Sequence, residues 1–253
     1  MAGRIPLHFR RIEVKYLLPQ SSVEPLLARL HPYVDLDPFL STEGRGRVDY
    51  PVCSLYYDSA DLHAYHEKMA GILARCKVRL RTYAQDFSSP APLFLEVKRR
   101  WDLAIAKDRF LCPPLSVRED LRSLPTIIAA LVRSRERDVE LFRELTLLSS
   151  WYAYQPTAVV RYRRRPLVDR HDHRLRITLD TEIASTWKPS VLSGRTMVFH
   201  PCLPGRVVLE LKSNTGIPSW FLEVIREFQL GRLSLSKYAL AVQSHEAAVT
   251  LIP

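Results

Sequence analysis

Three times in this chain a glutamate is followed two residues later by a lysine within a short run of otherwise largely apolar residues. The pairs are Glu13/Lys15 in Arg11-Ile12-Glu13-Val14-Lys15-Tyr16, Glu96/Lys98 in Leu93-Phe94-Leu95-Glu96-Val97-Lys98, and Glu210/Lys212 in Val207-Val208-Leu209-Glu210-Leu211-Lys212. In an extended strand, side chains two positions apart point to the same side, so each pair brings a carboxylate and an ammonium into one volume. The same spacing aligns Lys77, Arg79 and Arg81, then Arg161 and Arg163, then Arg174, Arg176, Thr178 and Asp180. Guanidinium and ammonium groups bind phosphate oxygens, the first as a planar fork and the second as a point charge. One or two carboxylates, completed by phosphate oxygens, form the usual protein share of a Mg²⁺ or Mn²⁺ site. Glu210, Glu96 and Glu13 are the metal candidates, with Glu210 preferred; Glu13 and Glu96 serve equally well as counter-charge for their basic neighbours.

A charged strand face is ordinarily a solvated surface, and for any one of these strands that is the simpler reading. Taken as a set, the polar faces are almost wholly Arg, Lys and Glu, with few of the Thr, Ser and Gln residues that an exposed face mixes in. Stretches with apolar residues at three-to-four spacing alternate with the strands: Ser22 to Leu30, Ala60 to Met69, Val117 to about Leu148 with a break near Pro125, Ser219 to Gln229, and Ser236 to Ala247. Helices of this kind cover the aliphatic strand faces. The expectation is an α+β fold: a closed antiparallel β-barrel tunnel of about eight strands, with helices packed on its outside and the charged faces turned inward. A cation-rich interior is tolerable only if a polyanion and water fill it.

The 253 residues are 47% apolar and 25% charged, enough for a sizeable core, and residues 1–253 read as one domain. With 37 Lys and Arg against 27 Asp and Glu, the net charge of +10 predicts a polyanionic partner. Four cysteines without a C-x-x-C pair suit buried thiols in a reducing compartment. No apolar run reaches membrane-spanning length and none reads as a leader, so the expectation is a soluble, unprocessed, cytoplasmic protein.

The pattern R-x-E-x-K-Y at Arg11 to Tyr16 resembles the opening strand of the VTC polyphosphate polymerase domain, a member of the triphosphate tunnel metalloenzymes, a CYTH-like superfamily. Further segments resemble that family in order: Ser54 to Asp58, Gly71 with Arg75 and Lys77 to Arg81, Leu95 to Lys98, Arg176 to Glu182, Glu210 to Lys212, and Ser236-Lys237-Tyr238. The resemblance implies a polyphosphate polymerase that transfers the γ-phosphoryl group of ATP to a growing inorganic polyphosphate chain. It gives the phosphate-holding role to Lys15, Lys77, Arg79, Arg81, Lys98, Lys107, Arg176 and Lys212, and the metal, Mn²⁺ or Mg²⁺, to Glu210 with Glu96 and Glu13. Lys237, Ser236 and Arg161 would stand at the reaction centre, Lys237 orienting or neutralising the transferred group. Ser236 is also a good N-cap for the last helix. Two departures from the family pattern stand out. Ser234 replaces a basic residue before the S-K pair, with Arg232 near enough to substitute, and Arg11 stands where CYTH triphosphatases carry a first glutamate. The latter favours a polymerase over a hydrolase.

A triphosphatase and a non-catalytic polyphosphate-binding module are the alternatives. Nucleic acid is disfavoured, because the charge alternates along strands instead of forming a basic helix or aromatic platform. Without a spanning segment, export of a polymer would need another protein. His171-Asp172-His173 reads as a solvated loop, Arg164 and Arg165 as rim charges, and the four tryptophans as packing residues.

Overall fold

A computed structural model of the chain describes residues 12–38, 40, 46–101, 104–113, 120–134, 139–189 and 197–250. Arg11, the expected helix start at Val117 and residues 190–196 of the expected long connection lie outside them. The described strands are β1 (Ile12–Pro19), β2 (Val34–Leu36), β3 (Tyr50–Asp58), β4 (Ala74–Thr82), β5 (Leu93–Trp101), β6 (Ala104–Leu111), β7 (Gln155–Asp169), β8 (Arg176–Trp187), β9 (His200–Pro201) and β10 (Arg206–Ser213). The helices are α1 (Val23–Leu30), α2 (His63–Met69), α3 (Leu124–Ser134), α4 (Val139–Trp151), α5 (Ser219–Glu227) and α6 (Lys237–Thr250). The fold is α+β with one large sheet, ordered β1-β10-β8-β7-β3-β4-β5-β6, to which β2 adds at β7 and β9 at β8. The chain divides into two compact units, and β7 and β8 each contribute a segment to both.

The first unit draws on Met1–Tyr50, Arg163–Glu182 and Leu203–Leu235. Antiparallel registers place Glu13 beside Lys212 and Lys15 beside Glu210 on β1 and β10, then Lys212 beside Arg176 and Glu210 beside Thr178 on β10 and β8. One face of these strands is therefore a grid of charges. The opposite face holds Val14, Tyr16, Leu18, Leu209, Leu211, Ile177 and Leu179, packed with Val23, Leu26 and Leu30 of α1 and Phe221 and Val224 of α5. The i, i+3, i+7 spacing of the α1 trio makes one buried stripe, and each buried Leu or Phe contributes about 1.5–3 kcal/mol. Pro25 lies in the first turn of α1, where a missing N–H leaves no bond unmade. Replacing Leu26, fully buried, by Ala would open a cavity costing about 2–5 kcal/mol.

The second unit draws on Pro51–Tyr162, Ile183–Cys202 and Ser236–Pro253. Leu55, Tyr57, Val78, Leu80, Leu95, Val97 and Phe110 make its aliphatic face, covered by Leu124, Ile127, Leu131, Phe142 and Leu145 of α3 and α4. The other face of β4, β5 and β6 carries Arg75, Lys77, Arg79 and Arg81, with Glu96, Lys98 and Arg100, and with Lys107 and Arg109.

The expected break near Pro125 is present: a 3-10 turn at Asp120–Arg122 precedes α3, whose first turn holds Pro125. Several details differ from the sequence expectation. β8 begins at Arg176, because Asp172 takes the Arg174 N–H at 3.0 Å and holds Arg174 in the preceding turn. β3 shows no alternation because Val52 to Asp58 are buried throughout: both faces are covered, so neither is marked by exposed polar residues. Trp101 and Trp151 are 76% and 77% exposed and pack no core, each ending its strand or helix at the surface. Trp187 and Trp220 do pack, stacked on His245 and Tyr33.

Candidate functional site

In the first unit, the charged face is built from alternating partners. Lys15 Nζ lies 3.2 Å from Glu13 Oε1 and donates to the Leu235 carbonyl at 3.1 Å, fixing the lysine against the chain that leads out of this unit. Lys212 Nζ lies 3.0 Å from Glu210 Oε1, and Glu210 is 4% exposed. Burial pushes the Lys212 ammonium below its ordinary value, against the pull of Glu210. Arg164, expected as a rim charge, instead points inward: its Nε and Nη2 donate to both oxygens of fully buried Asp180 at 2.7 Å. Its Nη2 is also 3.8 Å from Glu210 Oε2. Arg176 stands at the edge, 4.0 Å from Asp37.

The fit of this face to a hard divalent cation rests on its donor set. Glu210 is a buried carboxylate, and at its register neighbour Thr178 the buried Oγ1 has no hydrogen-bond partner. A buried hydroxyl left unpaired is a group awaiting a ligand or water. Among the described residues no three His, Cys, Asp or Glu side chains gather as a metal cluster, so a cation here would take the rest of its shell from phosphate oxygens and water, as Mg²⁺ commonly does.

The second unit presents a different arrangement. Glu96, 2% exposed, lies among four cations. Its Oε2 is 2.6 Å from Arg79 Nη2 and 3.5 Å from Arg81 Nη1. Its Oε1 is 2.9 Å from Lys107 Nζ and 2.8 Å from Arg109 Nε. Burial works to raise the Glu96 pKa, but Arg79, Arg81 and Lys107 outweigh it and hold the carboxyl well below the usual range. Arg79 also donates to Tyr56 Oη at 3.0 Å, and Arg81 to Ser54 Oγ at 3.2 Å. Arg109, absent from the sequence-based candidates, packs over Phe94 at 4.6 Å and bonds Tyr83; only the β5–β6 register reveals it as the neighbour of Glu96.

Ser236 caps α6, its Oγ accepting from Ala239 N–H at 3.5 Å and from Lys77 Nζ at 3.3 Å. Lys237 lies over the Tyr162 ring at 4.7 Å. The first turn of α6 is anchored by Tyr238, whose hydroxyl donates to fully buried Asp58 at 2.5 Å. Asp58 also accepts from the backbone of Ser59, Ala64 and Tyr65. That tie between β3, α2 and α6 fixes the place of Ser236 and Lys237, and the sequence does not single out Asp58 because its four donors come from three separate segments. Burial, reinforced by Lys68, Arg75 and Lys98, lowers the Lys77 pKa to about 7, and burial lowers that of Lys107 to about 8. Lys98 is exposed on the same face. Arg161 is exposed, its guanidinium 4.0 Å from the Phe199 ring. His171 and His173 are exposed in the β7–β8 turn.

Both units thus carry basic and acidic groups on one strand face and a helix-covered core on the other. The sequence pattern of the VTC domain matches residues 10–245. The chain belongs to the VTC domain family. A curated relative, vacuolar transporter chaperone complex subunit 4 of Trypanosoma brucei brucei, is 22% identical over 97% of this VTC chain. The match covers 36% of that relative's length. Among solved structures, a Hippeastrum adenylyl cyclase candidate with a dominant triphosphatase activity superposes with a TM-score of 0.54 at 16% identity, covering 92% of this chain and 96% of that one. The VTC chain shares the fold of this Hippeastrum protein.

Proposed function

We propose that this VTC domain is a metal-dependent polyphosphate polymerase, transferring the γ-phosphoryl group of ATP to a growing inorganic polyphosphate chain. The observation that carries the reading is the charged strand face of the second unit, where the basic side chains of β4, β5 and β6 outnumber Glu96, the carboxylate placed among them. Such faces are costly when dry and are compensated by a bound polyanion. A closed barrel of about eight strands with these faces lining a tunnel is part of the proposal. It is supported by family membership and by the fold shared with the Hippeastrum protein.

Phosphoryl transfer needs alignment of nucleophile and leaving group and neutralisation of the equatorial oxygens. Arg79, Arg81, Lys107 and Arg109, oriented by Glu96, present donors to those oxygens. Lys77 and Ser236 at the start of α6 hold a phosphate where the backbone N–H groups also favour an anion, and Lys237 neutralises the group in transit. A terminal phosphate oxygen of the chain attacks the γ-phosphorus; the bond from γ-phosphorus to the β–γ bridging oxygen breaks, and ADP leaves with that oxygen. Glu210, with Thr178 and the substrate's own oxygens, would hold Mn²⁺ or Mg²⁺, which when bound offsets phosphate charge. The four free cysteines, with burial pushing Cys53 and Cys76 up to about 12, suit a reducing, cytoplasmic setting. ATP and polyphosphate are the proposed partners, nucleic acid is not, and polymer export would fall to another protein.

Hydrolysis by water at the same phosphorus is the second reading, favoured by the dominant triphosphatase activity of the Hippeastrum protein. Purified protein incubated with ATP, Mn²⁺ and a short phosphate primer separates the two. Long chains and ADP are expected; free phosphate without chains would replace the polymerase by a triphosphatase.

A further inference from the structure

Where α2 ends and β4 begins, the run Met69-Ala70-Gly71-Ile72-Leu73-Ala74 is apolar throughout and exposed at every residue. Met69, Ile72 and Leu73 are 48%, 47% and 60% exposed. Register places Ala74 beside Trp101, the 76% exposed end of β5, so the run and the indole share one edge of the second unit. Single exposed apolar residues are ordinary, whereas a contiguous group of large ones marks an interaction surface. Local packing does not account for this group. Gly71, with a positive φ of 71°, ends α2 by donating its N–H to the Lys68 carbonyl, and the Ile72 N–H donates to that of Glu67. At such a helix end the residue in Ile72's place commonly packs back on an apolar side chain in Glu67's place. Here that place is charged and pairs with His63 at 3.2 Å, which leaves Ile72 exposed.

The loop is also preformed. Arg75 Nη1 donates to the Ile72 carbonyl at 2.8 Å, so the N–H groups of Gly71 and Ile72 and the carbonyl of Ile72 all have partners within the protein. A backbone satisfied in this way can leave water for an apolar phase without losing those hydrogen bonds. Cations border the loop: Lys68 precedes it, Arg75 follows it, and Arg100 lies beside Arg75 and precedes Trp101. An apolar tip bordered by long basic side chains, with Trp at the boundary, matches the layers of a bilayer that carries anionic headgroups. A second copy of the chain fits less well, because the same cations would face one another across the contact.

We infer that the loop of residues 69–74, with Trp101, is a docking surface for an anionic lipid bilayer, its apolar side chains entering the interface while Lys68, Arg75 and Arg100 meet phosphate headgroups. The attachment is peripheral, since among the described residues no helix is long and apolar enough to cross a membrane. With only a few side chains inserted it is also reversible, and it depends on apolar burial and headgroup charge together. The inference stands apart from the reaction proposed above, in which none of these side chains takes part.

The test is co-sedimentation of the full chain with vesicles of phosphatidylcholine alone and of phosphatidylcholine containing about one-quarter phosphatidylglycerol. The unaltered protein should bind the anionic vesicles about tenfold more tightly, and added salt should weaken that binding. Ile72→Ser/Leu73→Ser should reduce it about tenfold with the melting temperature unchanged. Leu73→Trp, which enlarges the apolar tip, should tighten it about threefold, a gain that no folding defect produces. If the serine pair binds the anionic vesicles like the unaltered protein, lipid is meeting basic groups alone and the loop has no docking role. Failure of the unaltered protein to bind either vesicle would overturn the inference as well. A concentration-dependent dimer that the serine pair dissociates would then make the loop a self-association surface instead.

Discussion

Glu96 and Glu210 are both buried glutamates on charged strand faces, yet their surroundings assign them different work. Glu96 is held on both oxygens by Arg79, Arg81, Lys107 and Arg109 at 2.6–3.5 Å. To ligate a metal it would have to give up contacts that keep four like charges together, so its place is that of an internal counter-ion. Glu210 meets Lys212 at 3.0 Å and stands 3.8 Å from Arg164, whose guanidinium is already committed to Asp180. The hydroxyl at its register neighbour Thr178 has no partner. One carboxylate organises cations; the other sits where a cation can be added. The contrast shows that an E-x-K pair is only a placement, and that its chemistry is decided by the strands on either side.

The largest effect expected from breaking this contrast is at Glu210. Glu210→Gln keeps shape and removes charge, and should lower chain synthesis by two orders of magnitude or more, on the order of losing a main electrostatic contact, while the melting temperature changes little. Full activity in the variant would remove Glu210 from the site. Glu96→Gln should do the reverse in kind. Uncompensated cations around a buried neutral amide should cost about 3 kcal/mol of stability, read by denaturant unfolding, and a variant as stable as the parent would refute the counter-ion role.

Acidity sharpens the comparison further. Lys77 and Lys107 titrate near 7 and 8, lowered chiefly by burial. Each is charged below its own value and neutral above it, and a bound phosphate favours the charged form. Tripolyphosphate affinity should therefore decline as pH rises from about 6 to 9, by roughly tenfold for loss of one or two charge-assisted contacts. In Lys77→Arg, whose guanidinium stays charged throughout, the decline should become shallower. An identical profile in the two proteins would dissociate Lys77 from phosphate binding.

Much of this is legible in the sequence, and the remainder is hidden for identifiable reasons. Period-two alternation in β1, β4, β5 and β10 marks which side chains share a face, and the leucine stripe of α1 marks the face it covers. β3 leaves no such mark because both of its faces are buried. The placement of Arg109 beside Glu96 depends on register between strands, which no single strand encodes. Arg164 escapes for a related reason: alternation from Arg161 aligns Arg161 and Arg163, but it is Tyr162 and Arg164 that are turned toward Lys237 and Asp180 respectively. Exposure of Trp101 and Trp151 follows from where their elements end, which composition does not show.

The smallest effect is the most discriminating for the Glu210 region. An unpaired buried hydroxyl is a cost to the folded state, so Thr178→Val, nearly the same shape without the polar atom, should leave stability unchanged or raise it by about 1 kcal/mol. If Thr178 Oγ1 is kept for a metal-bound water or a phosphate oxygen, the same change should raise the Mn²⁺ concentration needed for half-maximal activity by about tenfold. The parallel substitution Thr82→Val removes another buried, unpartnered hydroxyl, in the second unit, and should raise stability without moving the metal requirement. A shift in metal dependence common to both variants would mean that packing alone, and no ligand at Thr178, lies behind it.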